Sequence, residues 1–170
     1  MPIIPNDIRF SKQRFESFDG PAKEVAKDFL KYLNFKDIQE NLAESNGNFS
    51  KIWDVKATHP KIDEEWRLEL EIKKDWGTKW LEIPFKWPTM DIPYRKRDKA
   101  EEHATHHIVI GGDLKRLFIV NRNVVIDSPV TYKKVRNRNW QEEPFFNIPL
   151  PSPKSAFWFK NKDNKWIIQK

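Results

Sequence analysis

The sequence predicts an α/β fold with a central mixed sheet, and three observations predict it. An amphipathic helix opens the patterned part of the chain. Alternating apolar and charged residues over 52–74 then mark a strand pair, and the short apolar runs Ile108–Ile110, Leu117–Val120 and Val124–Ile126 read as buried strands.

The helix lies in FDGPAKEVAKDFLKYLNF. Pro21 suits a first helical position, with Asp19 and Gly20 at the cap. Ala22, Val25, Ala26, Phe29, Leu30 and Leu33 fall on one face at helical spacing, and Asn34 is the stop. A weak strand over Asp37–Leu42 precedes the Asn46-Gly47 turn signal. Ile52–Thr58 and Trp66–Lys74 are the next strands, separated by a polar link in which Pro60 bars continuation. Residues 75–94, rich in Pro, Gly and large aromatics, read as an irregular insertion with a short strand over Lys79–Phe85. A charged segment from Arg95 has enough helix formers for two or three turns, and the apolar strand runs follow it. The expected organisation is a single domain: an arm over 1–18, a core over 20–128 and a basic, aromatic extension over 129–170. Trp158, Phe159, Trp166 and Ile167 would clamp that extension onto the body.

Composition bounds the function. At 170 residues the chain can bury a real core, and an aromatic fraction of 14% argues against disorder. A net charge of +6 suits a polyanionic partner such as nucleic acid. With no cysteine there is no disulfide, thiolate zinc site or cysteine nucleophile. Neither a secretory signal pattern nor a membrane-length apolar run is present, so the expectation is an intracellular protein, cytoplasmic or acting within a host cell.

The chemistry is concentrated in KIWDVKATHPKIDEEWRLELEIKK, residues 51–74. Strand alternation puts Glu69, Glu71 and Lys73 on one face and Leu68, Leu70 and Ile72 on the other. With the turn centred between Ile62 and Asp63, Asp54 would lie opposite Glu71, and Lys56 opposite Glu69. A solvated hairpin face laced with salt bridges is one reading, and it accounts for Lys56 and Glu69. Two facing carboxylates with a lysine beside them fit a second reading, in which a divalent cation converts their repulsion into coordination.

A helix, a strand bearing Asp54, and a strand ending in Glu71-Ile72-Lys73 resemble the PD-(D/E)XK, or restriction-endonuclease-like, nuclease superfamily. The resemblance implies an α-β-β-β-α-β core laid over residues 20 to about 120. It implies that Asp54 and Glu71 bind a catalytic Mg²⁺ (or Mn²⁺) and that Lys73 sits beside the attacking water. Glu24 on the first helix is the candidate further acid, and it equally suits a solvated glutamate complementing the helix dipole. Trp53 stands where the motif often has proline, and the second core helix has no clear place in 75–94.

Two basic clusters, RKRDK at 95–99 and TYKKVRNRNW at 131–140, offer phosphate contacts through Arg95, Arg97, Lys133, Lys134, Arg136 and Arg138. Tyr94, Tyr132 and Trp140 flank them and could stack on splayed bases. His103, His106 and His107 lack a zinc-site pattern, and Gly111-Gly112-Asp113 reads as a turn between strands rather than a phosphate loop. The expected function is a metal-dependent hydrolase of phosphodiester bonds in DNA or RNA, with DNA the favoured partner, no membrane, and a homodimer among the permitted assemblies. The alternatives are a non-catalytic nucleic-acid-binding or structural accessory protein on the same fold, and a protein-interaction module.

Overall fold

The computed structural model describes residues 20–41, 53–96, 104–135 and 141–169. The predicted arm, the Asn46-Gly47 turn, Arg97, Arg136, Arg138, Trp140, His103 and the side chain of Arg95 lie outside the described residues.

Helix α1 (Gly20–Tyr32) forms where the apolar period placed it. It closes on a Schellman-type end: Asn34 takes the left-handed conformation, φ 64°, while Phe35 N–H reaches the Leu30 carbonyl at 3.0 Å and Asn34 N–H reaches that of Lys31. Asparagine tolerates that geometry better than most residues, so the expected stop is also the physical one. Strands β1 (Lys36–Glu40), β2 (Val55–Thr58) and β3 (Glu65–Lys73) follow as an antiparallel meander. Next come β4 (Thr89–Pro93), a 3₁₀ turn (Tyr94–Lys96), β5 (His106–Gly111), β6 (Arg116–Asn121) and a short helix α2 (Arg122–Ile126). The chain ends in β7 (Val130–Val135), β8 (Gln141–Pro149), β9 (Ser155–Lys160) and β10 (Trp166–Gln169).

Among the described residues the strands form a seven-stranded sheet ordered β1-β2-β3-β5-β6-β9-β10 and a three-stranded sheet ordered β4-β8-β7. The larger sheet is mixed: β5 runs parallel to β3, and its other neighbours pair antiparallel. Helix α1 covers one face, where Ala26, Phe29 and Leu30 pack against Leu68, Ile108, Ile110 and Leu117. The smaller sheet covers the other, its Met90, Ile92, Phe146 and Ile148 meeting Val109, Phe118 and Val120. Strands buried on both faces explain the near-continuous apolar runs of β5 and β6.

Several expectations are corrected. Lys79–Phe85 is not a strand, and contributes only an isolated bridge between Trp80 and Trp76. The strand of this region is β4, at the edge of the smaller sheet, where Pro93 lacks an N–H at little cost. Val124–Ile126 belongs to α2, because the Asn121 side chain caps the Asn123 N–H and starts a helical turn. The expected helix from Arg95 lies almost wholly outside the described residues, which hold there a 3₁₀ turn ending at Lys96. The tail does more than clamp: β9 and β10 extend the main sheet, and Trp158 and Trp166 stand edge-to-face on Phe29 at 5.3 and 5.4 Å.

Candidate active site

Asp54 lies at the mouth of the meander, where β2 begins and β3 continues beyond it with β5 on its other side. Its backbone N–H still donates to the Leu68 carbonyl, at 2.8 Å. The side chain then takes over: the Asp54 carboxylate accepts the Leu70 N–H at 2.8 Å, and Asp54 is buried. The carboxylate thus satisfies an edge amide that β2 no longer reaches. Asn41 fastens the same corner, donating its backbone N–H to the Asp54 carbonyl and its side-chain amide to the Trp53 carbonyl, each at 2.9 Å. The Asn41 carbonyl in turn receives the ammonium of Lys23, a buried lysine of α1, at 2.9 Å.

The hairpin register differs by two residues from the expected one. Lys56 lies opposite Arg67, and Val55 opposite Leu68. Asp54 therefore does not sit opposite Glu71 but two residues earlier along β3, level with Glu69. A shift of two leaves every side chain on its predicted face. Glu69, Glu71 and Lys73 accordingly share the face opposite Leu68, Leu70 and Ile72, whose side chains join the α1 core. The expected salt-bridge partners also change. Lys56 approaches Glu65 at 3.9 Å, and Glu69 is held by Lys96.

Lys96 organises the acids. Its ammonium lies 2.7 Å from Glu69 Oε1 and 3.0 Å from Glu71 Oε2, and donates to the Leu70 carbonyl at 2.5 Å. The Glu69 side chain is 1% exposed and that of Glu71 21%. A carboxylate as deeply buried as Glu69 requires such a cation, because an unpaired buried charge is too costly to keep.

Lys73 completes the row. Burial pushes its pKa below the ordinary lysine value, opposed by Asp91, Glu71 and Asp75 and reinforced by Lys133. Its ammonium stands 5.6 Å over the Trp80 ring. Asp91, from β4, is held by Lys133 of β7 and Asn147 of β8, so the smaller sheet presents a second charged cluster towards Lys73. The strand end carrying Lys73 is fixed by the β5–β6 turn, where Gly112 N–H donates to the carbonyls of Lys73 and Trp76 at 3.1 and 2.8 Å. That turn is the predicted reading of Gly111-Gly112-Asp113.

The fold places Asp54 just before β2 and Glu71 and Lys73 near the end of β3, the strand that β2 pairs with. It does not bring Glu24 into the group: that glutamate is 72% exposed and pairs with Lys27 at 2.6 Å. Lys23 is instead the buried charge of α1. Of the proposed phosphate contacts, Lys133 and Lys134 are exposed on β7, Lys133 being engaged with Asp91. Arg95 has its backbone in the 3₁₀ turn. Tyr132 is exposed, while Tyr94 packs against Phe146 at 5.1 Å. Sequence reasoning missed Asp91, Lys96, Lys23 and Asn41. The alternation Met90-Asp91-Ile92 was the available signal for Asp91, since it marks a strand with a polar outward residue.

Among the described residues no three His, Cys, Asp or Glu side chains form a group that could hold a metal, and no helix is long and apolar enough to cross a membrane. No protein-family model, curated protein or solved structure matches this chain.

Proposed function

We propose that this chain is a metal-dependent nuclease on a restriction-endonuclease-like core, hydrolysing phosphodiester bonds of DNA or RNA. The observation that carries this reading is the placement of Asp54 just before β2 and of Glu71 and Lys73 near the end of its partner strand β3, with Asp54 locked by the Leu70 N–H. The order of helix, three antiparallel strands and a parallel return strand supports the core assignment.

The donor set suits Mg²⁺ or Mn²⁺. Such hard ions take oxygen ligands and need one or two carboxylates, with water and phosphate oxygens filling the rest. Asp54 and Glu71 would supply those carboxylates, and Glu71 already attracts a cation in the form of Lys96. Such an ion, when bound, polarises a phosphoryl oxygen and makes its water a stronger acid. The chain's own residues do the remaining work. The clamp on Asp54 fixes one carboxylate before any ligand arrives. Lys73, held below its ordinary pKa, is suited to exchange a proton with water near the phosphorus. Lys133 and Lys134, with the basic segments around them, would hold the phosphate backbone.

One observation favours the non-catalytic alternative, a nucleic-acid-binding protein on the same fold: Lys96 already neutralises Glu71. Pure protein incubated with single- and double-stranded DNA and RNA, under Mg²⁺, Mn²⁺ or EDTA, separates the two. Metal-dependent cleavage that disappears in Glu71→Gln and Lys73→Met supports the nuclease. Salt-sensitive binding without cleavage supports the accessory protein, and cleavage surviving both substitutions removes the site assignment.

A further inference from the structure

We propose that the loop between β3 and β4 is a stacking platform for unpaired bases, with Trp87 as its outer ring, so that the nucleic acid this protein takes is single-stranded or frayed. This rests on the reading of the partner as nucleic acid, and on neither a metal nor cleavage.

Residues 77–88 carry apolar side chains outward on a braced backbone. Leu81 is 65% exposed, Ile83 46% and Trp87 42%. The loop is held from within. The buried Arg116 guanidinium donates to the Glu82 carbonyl at 2.8 Å and to the Asp113 carboxylate at 3.0 Å. Phe85 stands edge-on to Trp76 and stacks on Phe157, each at 5.3 Å, and the Leu150 N–H donates to the Pro88 carbonyl at 2.9 Å. Trp87 is therefore presented by a fastened loop.

The exposed ring belongs to a series. Trp80 and Trp87 meet edge-to-face with centroids 5.3 Å apart. The Lys73 ammonium lies 5.6 Å over Trp80, and that of Lys86 5.2 Å over Trp87. Cation, ring, ring and cation thus run from the candidate site to the loop surface. A single strand offers the complementary order, with a phosphate on either side of each stacked base. Lys79 and Lys86 have partners in Asp75 at 3.9 Å and Glu82 at 3.3 Å. Such exposed pairs are worth little, so exchanging them for phosphate costs little. A duplex keeps its base faces inside the stack, which leaves only unpaired bases for Trp87. A bilayer suits this tip poorly: Glu82, between Leu81 and Ile83 in the chain, would be carried into it with them.

The test is fluorescence anisotropy of labelled oligothymidylate, alone and annealed to oligoadenylate, on the intact protein in EDTA. Wild type should prefer the single strand. Trp87→Ala should weaken single-strand binding by about tenfold, the scale of one lost base stack, and leave duplex binding unchanged. Trp87→Leu keeps apolar bulk without an aromatic face and covers the case in which the alanine variant fails to fold. It should lose single-strand binding to a similar degree, whereas Trp87→Phe should retain most of it. Lys86→Gln should reduce the salt dependence by about one phosphate contact. Wild-type affinity in Trp87→Leu, or a wild type that prefers the duplex, removes the platform and leaves the nucleic-acid reading standing. A wild type that binds neither form removes both. Binding to phosphatidylserine vesicles that Trp87→Leu abolishes, with single-strand binding intact, would reassign the loop to a lipid surface. Self-association lost in the same way would reassign it to a second copy of the chain.

Discussion

The Asp54 carboxylate accepts the Leu70 backbone N–H at 2.8 Å, joining the start of β2 to an edge amide of β3 that no strand pairs. The proposed metal role would give this group a second job, and two substitutions separate the two. Asp54→Asn keeps an oxygen acceptor and removes the charge. Asp54→Ala removes both and leaves the amide unsatisfied, which costs about 1–3 kcal/mol. Urea unfolding should place Asp54→Asn close to wild type and Asp54→Ala below it, while both lose metal-dependent cleavage. Equal destabilisation by the two would show that the hydrogen bond is not what holds this corner.

Lys73 should show the opposite relation between stability and activity. Its folded pKa lies below the ordinary lysine value of 10.5. Folding thus disfavours the protonated form, and that penalty is present at neutral pH. It shrinks as pH rises above the folded pKa and is gone above the unfolded one. Lys73→Met should therefore raise the urea midpoint at pH 7 while lowering cleavage by about 100-fold or more, the usual scale for losing a positioned acid–base group. The stability gain over wild type should diminish at pH 10. A destabilised Lys73→Met would mean that the attractions to Asp91 and Glu71 outweigh burial.

The parts of this fold that were legible in the sequence are those with a strong period. Helix α1, β3, β5 and β6 each present a repeating apolar face, and burial on a shared core makes that face unavoidable. The charged face of β3 was legible for the same reason, since parity survives an error of two in register. The register itself was not, because polar residues over 59–64 do not encode how many of them the turn absorbs. Lys96 was illegible as an individual residue: within RKRDK nothing distinguishes the lysine that turns inward to Glu69 from its neighbours. Val124–Ile126 misled because a three-residue apolar run carries no period, and the Asn121 cap decided the outcome. Lys23 was passed over because lysine is rarely buried, and nothing in the sequence signals the Asn41 carbonyl that receives its ammonium there.

Gly112 connects the turn chemistry to the site. A Cβ at this position would lie 2.0 Å from the Lys74 carbonyl oxygen, a backbone atom that cannot swing aside as a side chain could. The Gly112 N–H also holds the Lys73 carbonyl. Gly112→Ala should therefore push the end of β3 outward, destabilise the protein by about 1–3 kcal/mol, and reduce cleavage although residue 112 touches no substrate. Metal affinity should change less than turnover, because Glu71 lies further back along the strand than Lys73. A Gly112→Ala protein with wild-type stability would show that the turn yields freely.

His106 gives a pH dependence independent of the acids. Its ring stacks on Trp66 with centroids 3.8 Å apart and planes 23° from parallel, and Thr105 Oγ1 lies 2.9 Å from its Nδ1. Burial, assisted by Arg122 and His59, pushes its pKa from 6.5 down to about 4. The folded state keeps the ring neutral while the unfolded chain takes up a proton near pH 6.5. Stability associated with this residue is therefore full above pH 6.5, falls as pH drops towards 4, and then levels off, for a total of about 3 kcal/mol at 1.36 kcal/mol per pKa unit. His106→Phe keeps an aromatic ring against Trp66 and cannot titrate. The difference in unfolding free energy between wild type and His106→Phe should thus vary across this interval and be constant above it. A difference that stays constant from pH 7 to pH 4 would mean that His106 is protonated in the fold as readily as out of it, and that the Trp66 stack accommodates the cation.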